Sequence, residues 1–487
     1  MNSSKALRPY IDGRATAILG LGVSNLPLAR LLCEWGIPLT VYDKKSAEAL
    51  GKDAMALQAA GVRFVSGDDC FANIEEPLIF RSPGIRPDLA SLTAAVADGA
   101  ELTSEIELLL RLSAAKSFAI TGSDGKTTST TLTGLFLKAE AERQNKGRVF
   151  VGGNIGTPLL TQADTMTDED SAVLELSSFQ LMRLSDAPRF SALTNLSPNH
   201  LDWHVDMAEY AAAKRHIVGP NTERFVTNWE NPDARAMGLE IAASTKTKVF
   251  FFSSRANRPD AFAGCPKECS LLYERDGQIL LFDAESGKEI ALLAVSRIGV
   301  PGRHNVENFM TAMGLTYGHV AIELYGKVAD AFGGVEHRLE FVRRLDGVTY
   351  LNSSIDSSPS RTAAALSALD GRDIVVICGG YDKNIPYAPL AESLCRSVRA
   401  VVLTGATAQK IQEALDACPT YDPSRLTVAH EPDFRSAVLR ARLLARPDGV
   451  VLLSPASASF DQFNNFAERG NTFKQIVLEF PERDTEN

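Results

Sequence analysis

The apolar stretch Ser117-Phe118-Ala119-Ile120-Thr121 runs straight into Gly122-Ser123-Asp124-Gly125-Lys126-Thr127-Thr128, and a Thr/Leu-rich segment from Thr127 to Ala139 follows. Strand, glycine loop and helix in that order constrain the fold more than any other feature here, because they form the crossover unit of a parallel α/β sheet. Glycines let the backbone approach a ligand closely, the first amides of the helix face it, and the Lys126 ammonium balances β/γ-phosphate charge. A hydroxyl of Thr127 or Thr128 suits magnesium. The general G-x-x-x-x-G-K-[ST] spacing is not met, since Ile120 stands where its first glycine belongs. An ordinary turn with a solvated lysine is the competing reading; the strand before and the helix after favour a bound nucleotide.

A related unit opens the chain. Ala15-Thr16-Ala17-Ile18-Leu19-Gly20-Leu21-Gly22 leads into a helical stretch from Leu26 to Trp35, and Leu39-Thr40-Val41-Tyr42-Asp43 ends in an acid. Asp43 lies about 20 residues beyond the glycines, the spacing of a first βαβ nucleotide unit. Asn25 replaces the third glycine of G-x-G-x-x-G, so a nicotinamide cofactor is not implied. A diphosphate at the helix start fits, with Asp43 accepting from a nucleotide. Leu78 to Gly84 reads as a later strand breaking into a turn.

Further strands are expected at 148–151, 172–176, 190–195 and 224–228. Two apolar runs around Asp276-Gly277 predict a hairpin. After Gly333-Gly334, strands at 348–351, 374–378, 400–403 and 450–453 alternate with helices. With 487 residues, about three domains are expected. The expectation is an α/β chain of three domains: a Rossmann-like one at 1–103, a central P-loop ATPase-like one at 104–334 with a mainly parallel sheet plus a small antiparallel part, and a Rossmann-like one at 335–487.

Composition narrows the partners. Lys+Arg 50 against Asp+Glu 60 gives a net charge of -10, which disfavours nucleic acid and anionic membranes but permits a locally positive pocket. Seven scattered cysteines suit a reducing cytosol. Cys265 and Cys269 have no second Cys/His pair nearby in sequence, so a loop is expected rather than zinc. The first residues lack a signal-peptide core and no apolar run approaches the ~20 residues of a membrane span, so a cytoplasmic protein is expected, a monomer by default.

Two polar residues stand where solvent is scarce. Glu175 lies inside the apolar run Ala172-Val173-Leu174-Glu175-Leu176, and an unpaired buried carboxylate is costly, so a cation or donor should meet it. Magnesium beside a bound triphosphate is economical, with His200 in support; a loop histidine bonded to backbone is the plainer reading of His200. Lys214, in Ala211-Ala212-Ala213-Lys214-Arg215, reads by itself as a solvated helix lysine.

Taken together, Gly122-Ser123-Asp124-Gly125-Lys126-Thr127-Thr128, Gly152-Gly153-Asn154-Ile155-Gly156, Leu174-Glu175-Leu176-Ser177-Ser178-Phe179-Gln180, Asn199-His200-Leu201-Asp202, Gly302 to Asn308, His337-Arg338 and Ser454 to Phe463 resemble, in this order, the Mur ligases, and most their D-glutamate-adding branch. The resemblance covers nearly the whole chain. It implies an ATP-dependent amide ligase of cell-wall precursor synthesis, with UDP-N-acetylmuramoyl-L-alanine, D-glutamate and ATP as partners and Mg2+ as cofactor. Its third domain would close on ATP and the amino acid.

By position, the resemblance assigns Gly122, Ser123, Asp124, Gly125, Lys126, Thr127, Thr128, Asn305, Asn308 and Arg338 to ATP. Gly20, Gly22, Asp43, Ser82, Gly84, Asn154 and Ser177 would face the nucleotide-sugar, with His337 near the nucleotide. Lys383, Ser459 and Phe466 would form the amino-acid pocket. Thr127, Glu175, His200 and Lys214, the last as a carbamate, would be metal-site residues, and Lys126, His200 and Lys214 the catalytic ones.

One segment departs. Where the family often reads N-D-S-K-A-T-N, this chain has Asn352-Ser353-Ser354-Ile355-Asp356, so the usual Asp and Lys are replaced at Ser353 and Ile355. Asp356 and Arg361 either substitute or pair on the surface. The rivals are a Mur-type ligase for another amino acid, a nucleotide-dependent oxidoreductase using Gly20-Leu21-Gly22, which leaves Lys126, Glu175 and Lys214 unexplained, and a non-catalytic nucleotide-binding subunit.

Overall fold

The computed structural model describes residues 6–200, 203–300, 302–382 and 385–482. It is an α/β structure on three sheets, divided into two compact units, Met1–Phe332 and Gly333–Asn487. Among the described residues no helix is long and apolar enough to cross a membrane.

The first unit begins with five parallel strands, β1 (Thr16–Leu19), β2 (Leu39–Asp43), β3 (Arg63–Ser66), β4 (Leu78–Arg81) and β5 (Glu101–Thr103), in the order β3-β2-β1-β4-β5. Strands β1, β2 and β4 are legible in the sequence because nearly every residue is buried, as expected of parallel strands covered on both faces. No residue of β3 is fully buried and β5 is three residues long, so neither leaves an apolar run. The chain builds outward from β1 to β3 and then returns to add β4 on the other side of β1. Such a reversal opens a crevice at the carboxyl ends of β1 and β4. Gly20 and Gly22 follow β1, and Ser82 and Gly84 follow β4.

The second sheet has nine strands: β6 (Lys116–Thr121), β7 (Val149–Gly153), β8 (Ser171–Glu175), β9 (Phe190–Leu193), β10 (Arg224–Asn228), β11 (Lys248–Ser253), β12 (Ser270–Arg275), β13 (Gln278–Asp283) and β14 (Lys288–Ala294). Their order is β14-β13-β12-β11-β10-β9-β6-β8-β7, parallel from β7 through β12. The expected antiparallel part is β12 to β14, and Asp276-Gly277 makes the first of its turns. Strand β6 lies between β9 and β8, so the segments after β6, β7, β8 and β9 all leave from one edge of the sheet.

These two sheets share one core. The helix Glu105–Leu112 buries Leu108 and Leu109 among side chains of both. Its Glu105, itself buried, accepts from the backbone amides of Leu159 and Leu160 at 2.8 and 2.9 Å.

The second unit carries β15 (Glu340–Leu345), β16 (Val348–Asn352), β17 (Ile374–Cys378), β18 (Ala400–Leu403), β19 (Thr427–His430) and β20 (Val450–Leu453), ordered β15-β16-β20-β17-β18-β19. All pairs are parallel except β15 with β16, a hairpin that the sequence reading missed. Strand β15 keeps only Leu345 buried and is rich in arginine, so it has no apolar run to betray it. Segments 353–356, 379–380 and 454–459 leave the carboxyl ends of β16, β17 and β20.

Candidate active site

The loop between β6 and the helix Lys126–Gln144 can be built only with glycine at two places. Gly122 has φ 147° and a Cβ there would collide with the Thr194 side chain; Gly125 has φ 78° and a Cβ would run into Asn308 Oδ1. The left-handed turn at Gly125 caps the helix and aims its first amides outward. Lys126 folds back over the loop, its Nζ donating to the carbonyls of Gly122 and Ser123, both at 2.8 Å. Ser123 Oγ donates to the Ser197 carbonyl at 2.9 Å and lies 3.0 Å from Tyr210 Oη, so it faces protein. Asp124 is exposed, with its amide held by Asn195 Oδ1 at 3.0 Å. Thr127 and Thr128 are half-buried in the first turn. Asn308 accepts from Ser129 Oγ at 3.3 Å and donates to Asn305 Oδ1 at 3.2 Å, which ties the helix Arg303–Thr316 to the phosphate loop.

Glu175 ends β8 beside this loop and is 2% exposed. Its Oε1 accepts from Asn154 Nδ2 at 2.7 Å, while Oε2 is buried with no hydrogen-bond partner among the described residues. A buried carboxylate oxygen without a donor is expensive, and a divalent cation would satisfy it. Among the described residues no three His, Cys, Asp or Glu side chains gather to hold a metal. A cation here must therefore draw other ligands, and phosphate oxygens and a threonine hydroxyl suit a hard ion such as Mg2+.

Lys214 differs from its plain sequence reading. It lies in the helix Met207–Arg215, is 1% exposed, and donates from Nζ to Thr121 Oγ1 and the Gly122 carbonyl, both at 3.0 Å. Burial first, and the nearby Lys126 charge second, push its ammonium well below the usual lysine range, with Glu175 opposing. Burial thus favours the uncharged form of this amine, held against the phosphate loop.

Ser177 caps the helix Ser178–Leu181 in a reciprocal box with Gln180, which accounts for the S-S-F-Q pattern structurally. His200 is exposed at φ 55°, its ring 5.0 Å from that of Phe179. Leu201 and Asp202 lie outside the described residues.

At the first sheet, Asp43 is engaged by backbone. Its Oδ2 accepts from the Leu21 amide within the glycine loop and its Oδ1 from Lys45, both at 2.9 Å. Arg81, 4% exposed, shapes the turn holding Ser82 and Gly84 by donating to the carbonyls of Ser82, Pro83 and Ile85 at 3.3, 3.2 and 2.6 Å. Burial lowers its pKa to about 10.

In the second unit, His337 is buried at φ 63° with Nδ1 2.9 Å from Asn352 Nδ2, so Nδ1 accepts and burial keeps the ring neutral. Phe466 meets the His337 ring edge-on at 5.9 Å, Ser459 is buried and Arg338 exposed. Lys383 lies outside the described residues. Asp356 is 7% exposed and bonded by the hydroxyls of Ser353 and Ser454, so it is no surface partner; Arg361 is exposed and donates to the Ile355 carbonyl at 3.3 Å.

Family models match residues 120–316 as a Mur ligase middle domain and 337–457 as the glutamate ligase domain of Mur ligases. The chain is 39% identical over 484 residues to the UDP-N-acetylmuramoylalanine–D-glutamate ligase of Ruminiclostridium cellulolyticum, covering 98% of this chain and 99% of that one. It is 41% identical over 473 residues to the enzyme of the same name from Clostridium novyi, covering 96% and 98%. The chain belongs to the Mur ligase family.

The Mur ligase fold is also found in two solved structures at a TM-score of 0.52. UDP-N-acetylmuramate-alanine ligase of Thermotoga maritima is 16% identical, with 96% of this chain and 99% of that one covered. UDP-N-acetylmuramoyl-L-alanyl-D-glutamate–2,6-diaminopimelate ligase is 15% identical, with 91% and 93% covered.

In this Mur ligase, Lys126, Thr121 and Lys214 come together around Gly122, and Asn154 with Glu175. Several polar residues around the site give no signal in the sequence. His204 and Glu209 lie buried and half-buried behind the loop, and Arg469, 2% exposed, binds Ser354, Ser457 and Ala458 together through its guanidinium. A charged residue in a helix gives no sign in sequence of whether it points inward, so only Trp203-His204, an aromatic pair beside a motif, offered a clue.

Proposed function

We propose that this Mur ligase adds D-glutamate to UDP-N-acetylmuramoyl-L-alanine at the expense of ATP, forming an amide in peptidoglycan precursor synthesis. The observation that carries the reading is the glycine loop of Lys126 with the buried Lys214, whose pKa burial lowers, and a Glu175 oxygen without a partner among the described residues beside it. Residues 1–103 take the UDP part through Gly20, Gly22, Asp43, Ser82 and Gly84, with Asn154 and Ser177 assigned to that substrate as well. Residues 104–334 take ATP, aided by Asn305 and Asn308. Residues 335–487 supply Arg338 and His337 for the nucleotide and Lys383, Ser459 and Phe466 for the amino acid.

A carboxylate is a poor acyl donor, so its oxygen first attacks the γ-phosphorus and ADP leaves. The amine of D-glutamate then attacks the acyl carbon, loses a proton, and phosphate departs as the amide forms. Lys126 exchanges its two carbonyl partners for phosphate oxygens and offsets their charge. The Lys214 nitrogen, in its uncharged form, adds to CO2 and loses a proton, which leaves a carbamate anion. Mg2+, which Glu175 Oε2, Thr127, His200 and that carbamate would hold, supplies positive charge to the phosphate oxygens. A cytoplasmic location fits a nucleotide-linked substrate.

The test is phosphate release from ATP by the purified chain, dependent on both UDP-N-acetylmuramoyl-L-alanine and D-glutamate. Release with another amino acid and none with D-glutamate would refute the specificity, which the exchange of the family Lys for Ile355 puts most directly in question. Binding of NAD(P)H without phosphate release would favour the oxidoreductase reading.

A further inference from the structure

Arg86 leaves the Ser82–Ile85 turn of the first sheet and ends on the second. Its guanidinium donates to both Glu209 oxygens, at 2.7 and 3.3 Å, and to the Trp203 carbonyl at 2.9 Å, with its centre 5.1 Å from the Trp203 ring. Asp88 takes its remaining fork at 2.8 and 2.9 Å, and Trp203 Nε1 donates back to the Gly84 carbonyl at 3.4 Å. Glu209 Oε2 accepts from the Val205 amide at 2.9 Å and lies 3.1 Å from His204 Nδ1; His204 Nε2 is 2.8 Å from Ser178 Oγ.

The proton positions follow from these partners. Hydrogen bonding to Arg86, above all, holds the Glu209 carboxyl down to about 2, so it is an acceptor only. Nδ1 of His204 then carries the proton, burial keeps the ring neutral, and Nε2 accepts from Ser178. Serine, histidine and carboxylate in this connectivity have the order of a nucleophilic triad. Ser178 and His204 are each 2% exposed, however, so no substrate reaches the hydroxyl and the chain is a brace. It ends beside chemistry: the His204 ring lies 5.3 Å from that of Tyr210, whose hydroxyl is 3.0 Å from Ser123 Oγ in the phosphate loop and whose ring lies under Lys214 Nζ at 4.7 Å.

We propose that Arg86, Glu209 and His204 are positioning residues that join the nucleotide-sugar turn at Ser82–Ile85 to the phosphate loop and the Lys214 helix, so that filling the first site orders the second. The inference rests on the ligase reading for its kinetic arm. A bidentate fork fixes angle as well as distance, which lysine does not. A brace of this kind changes turnover more than amino-acid binding.

The experiment uses the full chain with Arg86→Met, Arg86→Lys, Glu209→Gln and the double variant Arg86→Met/Glu209→Gln. Each single variant should lower kcat about tenfold or more, with KM for D-glutamate within about twofold. The double variant should be no worse than the worse single one, as for groups acting as a unit. In hydrogen exchange, residues 203–215 should slow on adding UDP-N-acetylmuramoyl-L-alanine in the wild type and not in the variants. Unchanged kcat, additive losses, or protection retained in the variants overturns the inference. If Arg86→Met does not fold, Arg86→Lys decides: wild-type kcat and protection in it refute the brace. A wild type that releases no phosphate with any amino acid sinks the ligase reading instead, and the exchange arm still judges the brace.

Discussion

Gly125→Ala isolates what the phosphate loop owes to its backbone. The residue sits at φ 78°, where a side chain costs about 1–2 kcal/mol. Its new Cβ would also fall inside Asn308 Oδ1, with Asn308 Cγ at 3.5 Å, and overpacking of this sort costs about 1–3 kcal/mol. Asn308 cannot swing away freely, because it accepts from Ser129 and donates to Asn305. The loop must therefore shift, and a displacement of about 1 Å at a phosphate site is worth about a hundredfold in rate. The expected result is a loss of kcat/KM for ATP of about 10²–10³, with the nucleotide-sugar still bound at near wild-type affinity. Asn308→Ser relieves the collision but not the φ strain, so the double variant should recover part of the loss, with an interaction energy above about 1 kcal/mol. Steady-state ATP kinetics on all four proteins give that cycle. Additivity within about 0.5 kcal/mol, or wild-type ATP kinetics in Gly125→Ala, would refute the reasoning.

Lys126→Ala should abolish turnover and leave calorimetric binding of the UDP substrate intact; loss of both would mean that the residue holds the fold. Glu175→Gln keeps the Asn154 contact through its amide oxygen but removes the charge at Oε2, and should lower kcat about a hundredfold or more while the melting temperature moves little; an unaltered Mg2+ dependence of the rate would count against a metal role. His319, packed against Phe118 and Phe190, has its pKa lowered by burial from 6.5 to about 4. The unfolded chain then binds more protons between those values, so this site's contribution to stability falls as pH drops from about 6.5 toward 4. Urea midpoints at pH 7 and pH 5 should differ less in His319→Phe than in the wild type; an equal difference removes His319 from the account.

Much of the site was legible because it follows strand ends. The loop of Lys126, the buried Glu175 and the Asp276-Gly277 hairpin each come from an apolar run broken by glycine or acid, and such runs survive in sequence when a strand is covered on both faces. Strands β3, β15 and β19 lack that cover and left little trace. Lys214 shows where local pattern stops. Its sequence neighbourhood of alanines suits a solvated lysine, yet the helix Met207–Arg215 turns it under the glycine loop, where it is fully buried. For Asp356 the structure removes one of the two readings, surface pairing, since its carboxyl is enclosed by the Ser353 and Ser454 hydroxyls.

By itself the sequence determined the α/β class and the place of the glycine loop between a strand and a helix, because local backbone demands and strand periodicity act between neighbours in the chain. Only the tertiary structure decided burial and connection: that Lys214 is enclosed and its pKa lowered, that one Glu175 oxygen has no partner among the described residues, and that Arg86 reaches Glu209 from another sheet. Those properties depend on solvent exclusion and on distances between residues more than 90 positions apart, such as Lys214 and Thr121, which no local pattern encodes.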